Sequence, residues 1–240
     1  AQPIHEGLNA LELTIKRTQR CESLDGITII TTDPERIESM DINNGPLPVR
    51  VVACDEDRLR ARSKAIGQAR IASSECWRGS IASVGCYDEG LDPHALLDVM
   101  SAHSIDAAAI IGSDWAMVDP SLIDRIVGRH RADPEHCKIP FSQAIPGIGC
   151  CVIERSVAST LVDAIENASI FGSIGGMFSY VPIGPQGDPI ASPLCVGVDP
   201  SIRDAGVRVV ADSVIRIQAM SAAYAGLGSF AMNADASVLV

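Results

Sequence analysis

An aspartate at the outlet of a buried strand is a residue type that can hold a hard divalent cation. In the stretch DAAAIIG at 106–112 every residue after Asp106 is apolar, and Ser113-Asp114-Trp115 follows it. A carboxylate beside the loop that leaves a strand tip can meet Mg2+ without being buried alone. An Asx turn or a helix cap accounts for the same residue, and nearby Asp119-Pro120 reads as a cap. Other chemistries find less material. His5, His94, His103, His130 and His136 form no H-E-x-x-H or H-x-x-x-H pair, which removes the common zinc-hydrolase layouts. There is no G-x-S-x-G nucleophile elbow. GSIGGM at 172–177 lacks the preceding strand and downstream acid of a dinucleotide fingerprint. The eight cysteines form no C-x-x-C pair, and Cys150-Cys151 sits inside apolar IGCCVI. Buried reduced thiols are the expectation, which points to the cytoplasm.

The elements that must position Asp114 follow from hydrophobic patterning. Leu8, Leu11 and Ile15 recur at near-helical spacing within 8–20, with basic residues toward the end. ITIITT (27–32) reads as a buried strand stopped by Asp33-Pro34, and PVRVVAC (48–54) as a second strand. The polar run 55–72 predicts a solvated helix. Asp92 and Pro93 suit the cap and first position of a helix over 91–104. The 106–112 strand comes next and reads as central, then an amphipathic helix over 121–132. This helix–strand rhythm argues for a parallel sheet with crossover helices. Beyond it lie the Gly/Pro-rich turn at 144–149, a short strand and a helix. Residues 172–201 read as loop, with Pro182, Pro185, Pro189, Pro193 and Pro200, and 202–226 as a last helical segment.

Composition agrees with such a core. Hydrophobic residues make up 47% of the 240 and aromatics only 4%, so Ile, Val, Leu and Ala must fill the interior. A formal net charge of −11 repels phosphate backbones, so no nucleic-acid partner is expected. A small nucleotide held through a divalent cation is compatible with that charge. No apolar run reaches the roughly 20 residues of a membrane span, and no membrane partner is expected.

Several segments in order resemble one family. GSDWAMVDPSLIDRIVGRH is similar to the G-D-x-P-L-I-D-P-x-L-I-D-x-V-I segment of cytidylyltransferase-type sugar nucleotidyltransferases. LNALELTIKRTQRCESLDGITIITTD resembles their early helix and the strand ending in A-T-x-D. WRGS resembles the start of their nucleotide-facing loop, DEGLDPHALL the next helix, and PGIG with CCVIERSVASTLV the acceptor-side strand and helix. The resemblance spans roughly residues 8–163. It is greatest to the branch associated with spore-coat polysaccharide synthesis, whose relatives sometimes precede a radical-SAM domain.

The resemblance implies an α/β fold: a mostly parallel sheet flanked by helices, the three-layer sandwich of the nucleotide-diphospho-sugar transferases (GT-A-like). It implies a nucleotidyltransferase-like domain over 1–171. Residues 172–240 would be a Pro/Gly-rich extension with a C-terminal helix, part of the same domain or a linker. The implied activity is transfer of a nucleotidyl group, cytidylyl in the usual case, from a nucleoside triphosphate to a sugar with release of pyrophosphate. Mg2+ would be held by Asp114 and by Asp212, whose R-x-x-x-D setting in VRVVADS is like the family's second metal carboxylate. Asp188 in GDPI reads as a turn. Arg78, Gly79 and Ser80 would face the nucleotide, and Thr31, Thr32 and Asp33 would line the base pocket. Without the family, Arg78 reads as a surface arginine and Thr31–Asp33 as a strand-ending turn. The family's opening strand and glycine-rich phosphate loop have no counterpart in this sequence. Ser113 is inserted before Asp114, and Trp115-Ala116-Met117 replaces smaller residues. A catalytically silent substrate-binding or docking module, attached to a larger enzyme such as a radical-SAM protein, is the alternative; it would explain the missing phosphate loop, and so would a sequence that is a fragment of a longer chain.

Overall fold

Aspartate–proline pairs set much of the chain's helical punctuation. Asp33-Pro34, Asp92-Pro93, Asp119-Pro120 and Asp199-Pro200 each open a helix, the aspartate accepting a backbone N–H from the first turn and proline occupying a position that needs no donor. In the computed structural model, which describes residues 2–73, 86–88, 91–166, 174, 192–235 and 238, these helices alternate with short strands. The order begins α1 (Ala10–Thr18), β1 (Ile27–Thr31), α2 (Pro34–Glu38), β2 (Val49–Ala53), α3 (Glu56–Ser73), α4 (Pro93–Ala102) and β3 (Ala107–Ile110). It continues α5 (Pro120–Ala132), β4 (Phe141–Ser142), β5 (Cys151–Glu154), α6 (Arg155–Glu166), β6 (Cys195–Val196), α7 (Pro200–Arg203) and α8 (Val214–Leu227). At α1 the start is a reciprocal capping box. Asn9 accepts from the Glu12 N–H at 3.2 Å, and Glu12 accepts from the Asn9 N–H at 2.8 Å.

The fold is mixed α/β with helices flanking the strands, as the sequence implies, but the strands are only partly parallel. β1 and β2 pair in parallel from Ile27↔Val49 to Thr31↔Ala53. Four further strands run in the order β3-β5-β4-β6, where β4/β6 is parallel and both pairs made by β5 are antiparallel. The expected setting of 106–112 therefore changes in two respects: β3 stands at the end of this four-strand order rather than at its centre, and its described neighbour, β5, runs the opposite way. The physical reason is burial. Residues 151–153 of β5 are fully covered, so their apolar run carries no alternation from which direction could be read.

The main core gathers Met100, Trp115, Ile123, Ile126, Ile148, Ile153 and Leu161, each 1% exposed or less. A smaller cluster joins Ile4, Leu13, Ala116, Met117, Met220, Tyr224 and Ala231. The loop after β3 thus sends Trp115 into one core and Ala116-Met117 into the other. Between them lies Arg17, 0% exposed, donating to the carbonyls of Val118 (2.6 Å), Ala231 (2.9 Å) and Ala234 (2.6 Å). A buried charge persists only when so paired. Burial pulls the Arg17 pKa below its ordinary value.

The described cysteines are free, and Cys21, Cys150 and Cys151 are buried. Loss of solvent pushes the Cys21 thiol up to about 12 and raises those of Cys150 and Cys151. These thiols stay protonated at neutral pH and supply no nucleophile. Among the described residues no helix is long and apolar enough to cross a membrane.

Candidate functional site: a carboxylate pair spanned by arginines

Asp114 sits in a turn closed by the Trp115 N–H on the Gly112 carbonyl (3.2 Å). Gly112 is required there, because a Cβ would come within 2.4 Å of the Trp115 indole nitrogen. The buried indole, 1% exposed, anchors the turn, and Tyr87 meets it edge-on at 6.4 Å. Held this way, the Asp114 side chain stays 26% exposed. Its described partner is not a backbone N–H, as an Asx turn or helix cap would require, but Arg70 of α3, at 3.1 Å.

The same guanidinium reaches Asp212. Arg70 Nη2 lies 3.1 Å from Asp114 and Nη1 lies 3.4 Å from Asp212. The structure therefore brings together the two carboxylates that the sequence singles out. Asp212 follows an irregular stretch, 205–211, that is pinned to its surroundings. The Ala211 N–H donates to the Asp114 carbonyl at 2.9 Å and the Val209 N–H to the Pro146 carbonyl at 2.8 Å. Arg208 meets Asp212 at 2.8 Å and also donates to the Arg70 carbonyl at 3.3 Å. Arg216, in the first turn of α8, lies 3.5 Å from Asp212 and donates to the Arg208 carbonyl at 2.8 Å. Among the described residues, three guanidiniums thus face two carboxylates.

Close packing of the Gly147 turn sets where Asp212 stands. Gly147 has φ +98°, and a Cβ there would lie 1.9 Å from the Val209 carbonyl oxygen. Gly147→Ala is expected to cost roughly 2–4 kcal/mol, combining backbone strain with a main-chain collision. Denaturant unfolding checks this. An unchanged midpoint would mean that the turn does not clamp the 205–211 segment.

Sequence reading missed the arginines, although α3 carried a signal. Arg58, Arg62, Ile66 and Arg70 recur every fourth residue and share one helix face. Ile66 is 6% exposed, Arg58 lies 3.3 Å from buried Asp92, and Arg62 lies 2.8 Å from Asp88, which is 0% exposed. The helix expected to be solvated is therefore docked through a row of charges onto a row of carboxylates. At Asp212, the R-x-x-x-D spacing named the Arg208 contact without identifying it as an ion pair.

The other predicted site residues are placed as follows. Thr31 ends β1, and its hydroxyl accepts from the Asp33 N–H at 3.1 Å; Asp33 caps α2. Thr32 lies between them. Among the described residues no hydrogen bond or ion pair joins these three to the Asp114–Asp212 cluster. Arg78, Gly79 and Ser80 lie outside the described residues, as does Asp188. A separate concavity of about 290 Å³ opens at the carboxyl end of β2, lined by Cys54, Asp55, Arg58, Asp98 and His103, and shares no residue with the cluster.

The donor set suits Mg2+ of a particular kind. Both Asp212 oxygens are buried and, despite their ion pairs, accept no hydrogen bond of good geometry, so their lone pairs are not committed to directional bonds. Among the described residues no three His, Cys, Asp or Glu side chains gather around one point. A protein-only cage is therefore not formed by them. Mg2+ commonly binds through one or two carboxylates together with substrate phosphates, and two carboxylates beside three guanidiniums match that division.

Comparison with known proteins gives the class of fold. No protein-family model matches the chain, and no curated protein matches it. A solved structure does: a cytidylyltransferase from Leptospira borgpetersenii serovar Hardjo-bovis (strain JB197). It superposes with a TM-score of 0.64 at 12% sequence identity, covering 100% of this chain and 84% of that one. The chain has a cytidylyltransferase-type fold.

Proposed function

We propose that this chain binds a nucleoside triphosphate together with Mg2+ at Asp114 and Asp212 and transfers the nucleotidyl group, cytidylyl in the first instance, to a sugar hydroxyl. The observation that carries this reading is the meeting of the two carboxylates on one guanidinium at the outlet of β3, on a fold shared with a cytidylyltransferase. When bound, Mg2+ would neutralise charge on the phosphates. The chain's own residues position and balance charge. Asp114 is presented on a turn fixed from both cores, Arg208 and Arg216 orient Asp212, and Arg70 offers a guanidinium to phosphate oxygens. In the reaction the sugar hydroxyl oxygen forms a bond to the α-phosphorus and gives its proton to water, the bond from that phosphorus to the bridging oxygen breaks, and pyrophosphate leaves. Buried, protonated thiols agree with a reducing, cytoplasmic setting.

One observation favours a second reading, a catalytically silent binding or docking module. The two carboxylates are already matched by guanidiniums, as in a structural ion-pair network. Pyrophosphate release separates the two. Full-length chain with cytidine triphosphate, Mg2+ and a panel of sugars should release pyrophosphate in proportion to sugar consumed. Nucleotide binding without pyrophosphate release from any sugar would favour the silent module.

A further inference from the structure

Arg70 occupies the place where a divalent cation would compete. Its side chain is 16% exposed, it comes from a different element than either aspartate, and it spans both carboxylates at 3.1 and 3.4 Å. Two carboxylates this close repel unless a cation sits between them. Arg208 and Arg216 also serve Asp212, but among the described contacts of the cluster Arg70 alone reaches Asp114 as well. Those two are also held by backbone carbonyls, Arg208 by that of Arg70 and Arg216 by that of Arg208. Arg70 is thus the bridging member of the cluster.

We infer that Arg70 is a resident counter-cation that keeps the carboxylate pair closed to a free divalent cation until a polyphosphate offers its guanidinium another partner. The inference rests on the nucleotide-binding reading of this site. Its physical basis is competition. A metal that needs both carboxylates meets a site open only for the fraction of time that Arg70 is elsewhere, and its apparent affinity falls by that fraction. A triphosphate arriving with the metal reverses the balance, since guanidinium pairs with phosphate oxygens at least as well as with carboxylate. Metal and nucleotide then bind as one event, and the metal alone is refused. Arg70 acts here as a positioning residue.

The test uses the full chain and Mn2+ alone, with free Mn2+ followed by its electron paramagnetic resonance signal. Wild type should bind Mn2+ weakly without nucleotide. Arg70→Gln should tighten Mn2+ binding by about tenfold or more, as release from a site closed at least nine-tenths of the time requires. Arg70→Lys keeps the charge but cannot fork across two carboxylates, so it should fall between wild type and the glutamine variant. Adding Asp114→Asn to Arg70→Gln should erase the gain. Unchanged or weaker Mn2+ binding in Arg70→Gln, or wild-type binding in Arg70→Lys if the glutamine protein does not fold, would overturn the inference. A parallel titration with cytidine triphosphate keeps the two ideas apart. Failure of wild type to bind it with Mn2+ counts against the proposed function, while the Mn2+-only ordering of the variants still reads Arg70.

Discussion

Asp114→Asn should lower metal-dependent nucleoside triphosphate affinity by about 100-fold or more, the scale at which metal sites respond to changes around their ligands, with little loss of stability. The substitution keeps the shape of the side chain and removes the charge. Asp114 is 26% exposed and its described side-chain partner is Arg70, which retains Asp212 at 3.4 Å. The turn is held by the Trp115 indole and the Gly112 contact, neither of which involves the carboxylate. Binding and stability should therefore separate. Nucleotide titration in Mg2+ reads the first, and thermal unfolding the second. A large fall in Tm with unchanged binding would make Asp114 a structural residue and return the turn to a purely architectural role.

Arg17→Met should produce the largest stability loss of any single change considered, about 3–5 kcal/mol, because it strips the donor from three buried carbonyls at once. Val118 closes the loop that carries Asp114, and Ala231 and Ala234 belong to the chain's tail, so one guanidinium ties both to α1. Methionine fills part of the volume but pairs with none of the three. Neighbouring Lys16 is exposed, and Lys16→Ala should stay within roughly 0.5 kcal/mol of wild type. Urea unfolding of the pair gives the contrast. Equal midpoints would show that the three carbonyls find other partners.

Much of this architecture is legible along the chain because its signals are local. Aspartate followed by proline announces α4 and α5, whereas the same pair at 33–34 and 199–200 reads as a strand stop and as loop, yet caps α2 and α7. The apolar run ending at Gly112 announces β3, and the residues after it place Asp114 at a strand outlet. Long-range pairing is where local signals stop. Nothing in AAAI or CVIE tells whether the two strands run together or opposed, since AAAI and the CVI of its partner are unbroken apolar runs. The face of α3 is the clearest lesson. Counted by composition, 55–72 is a polar helix suited to water. Counted by spacing, Arg58, Arg62 and Arg70 flank one buried isoleucine and meet four aspartates far away in the chain. An arginine row at helical repeat is a docking face when acids await it, and the acids are identified only by the fold. Asp212 stands between these cases. Its spacing from Arg208 is visible, whereas its approach to Asp114 depends on how 205–211 lies against the Gly147 turn.

Isothermal titration of the full chain with cytidine triphosphate, run in parallel with excess Mg2+ and with a chelator, addresses the paired carboxylates most directly. Saturable binding in Mg2+ that disappears in chelator is the expected result. Binding of equal strength in both conditions, or none in either, would contradict a site built from Asp114 and Asp212 around a metal-bound triphosphate.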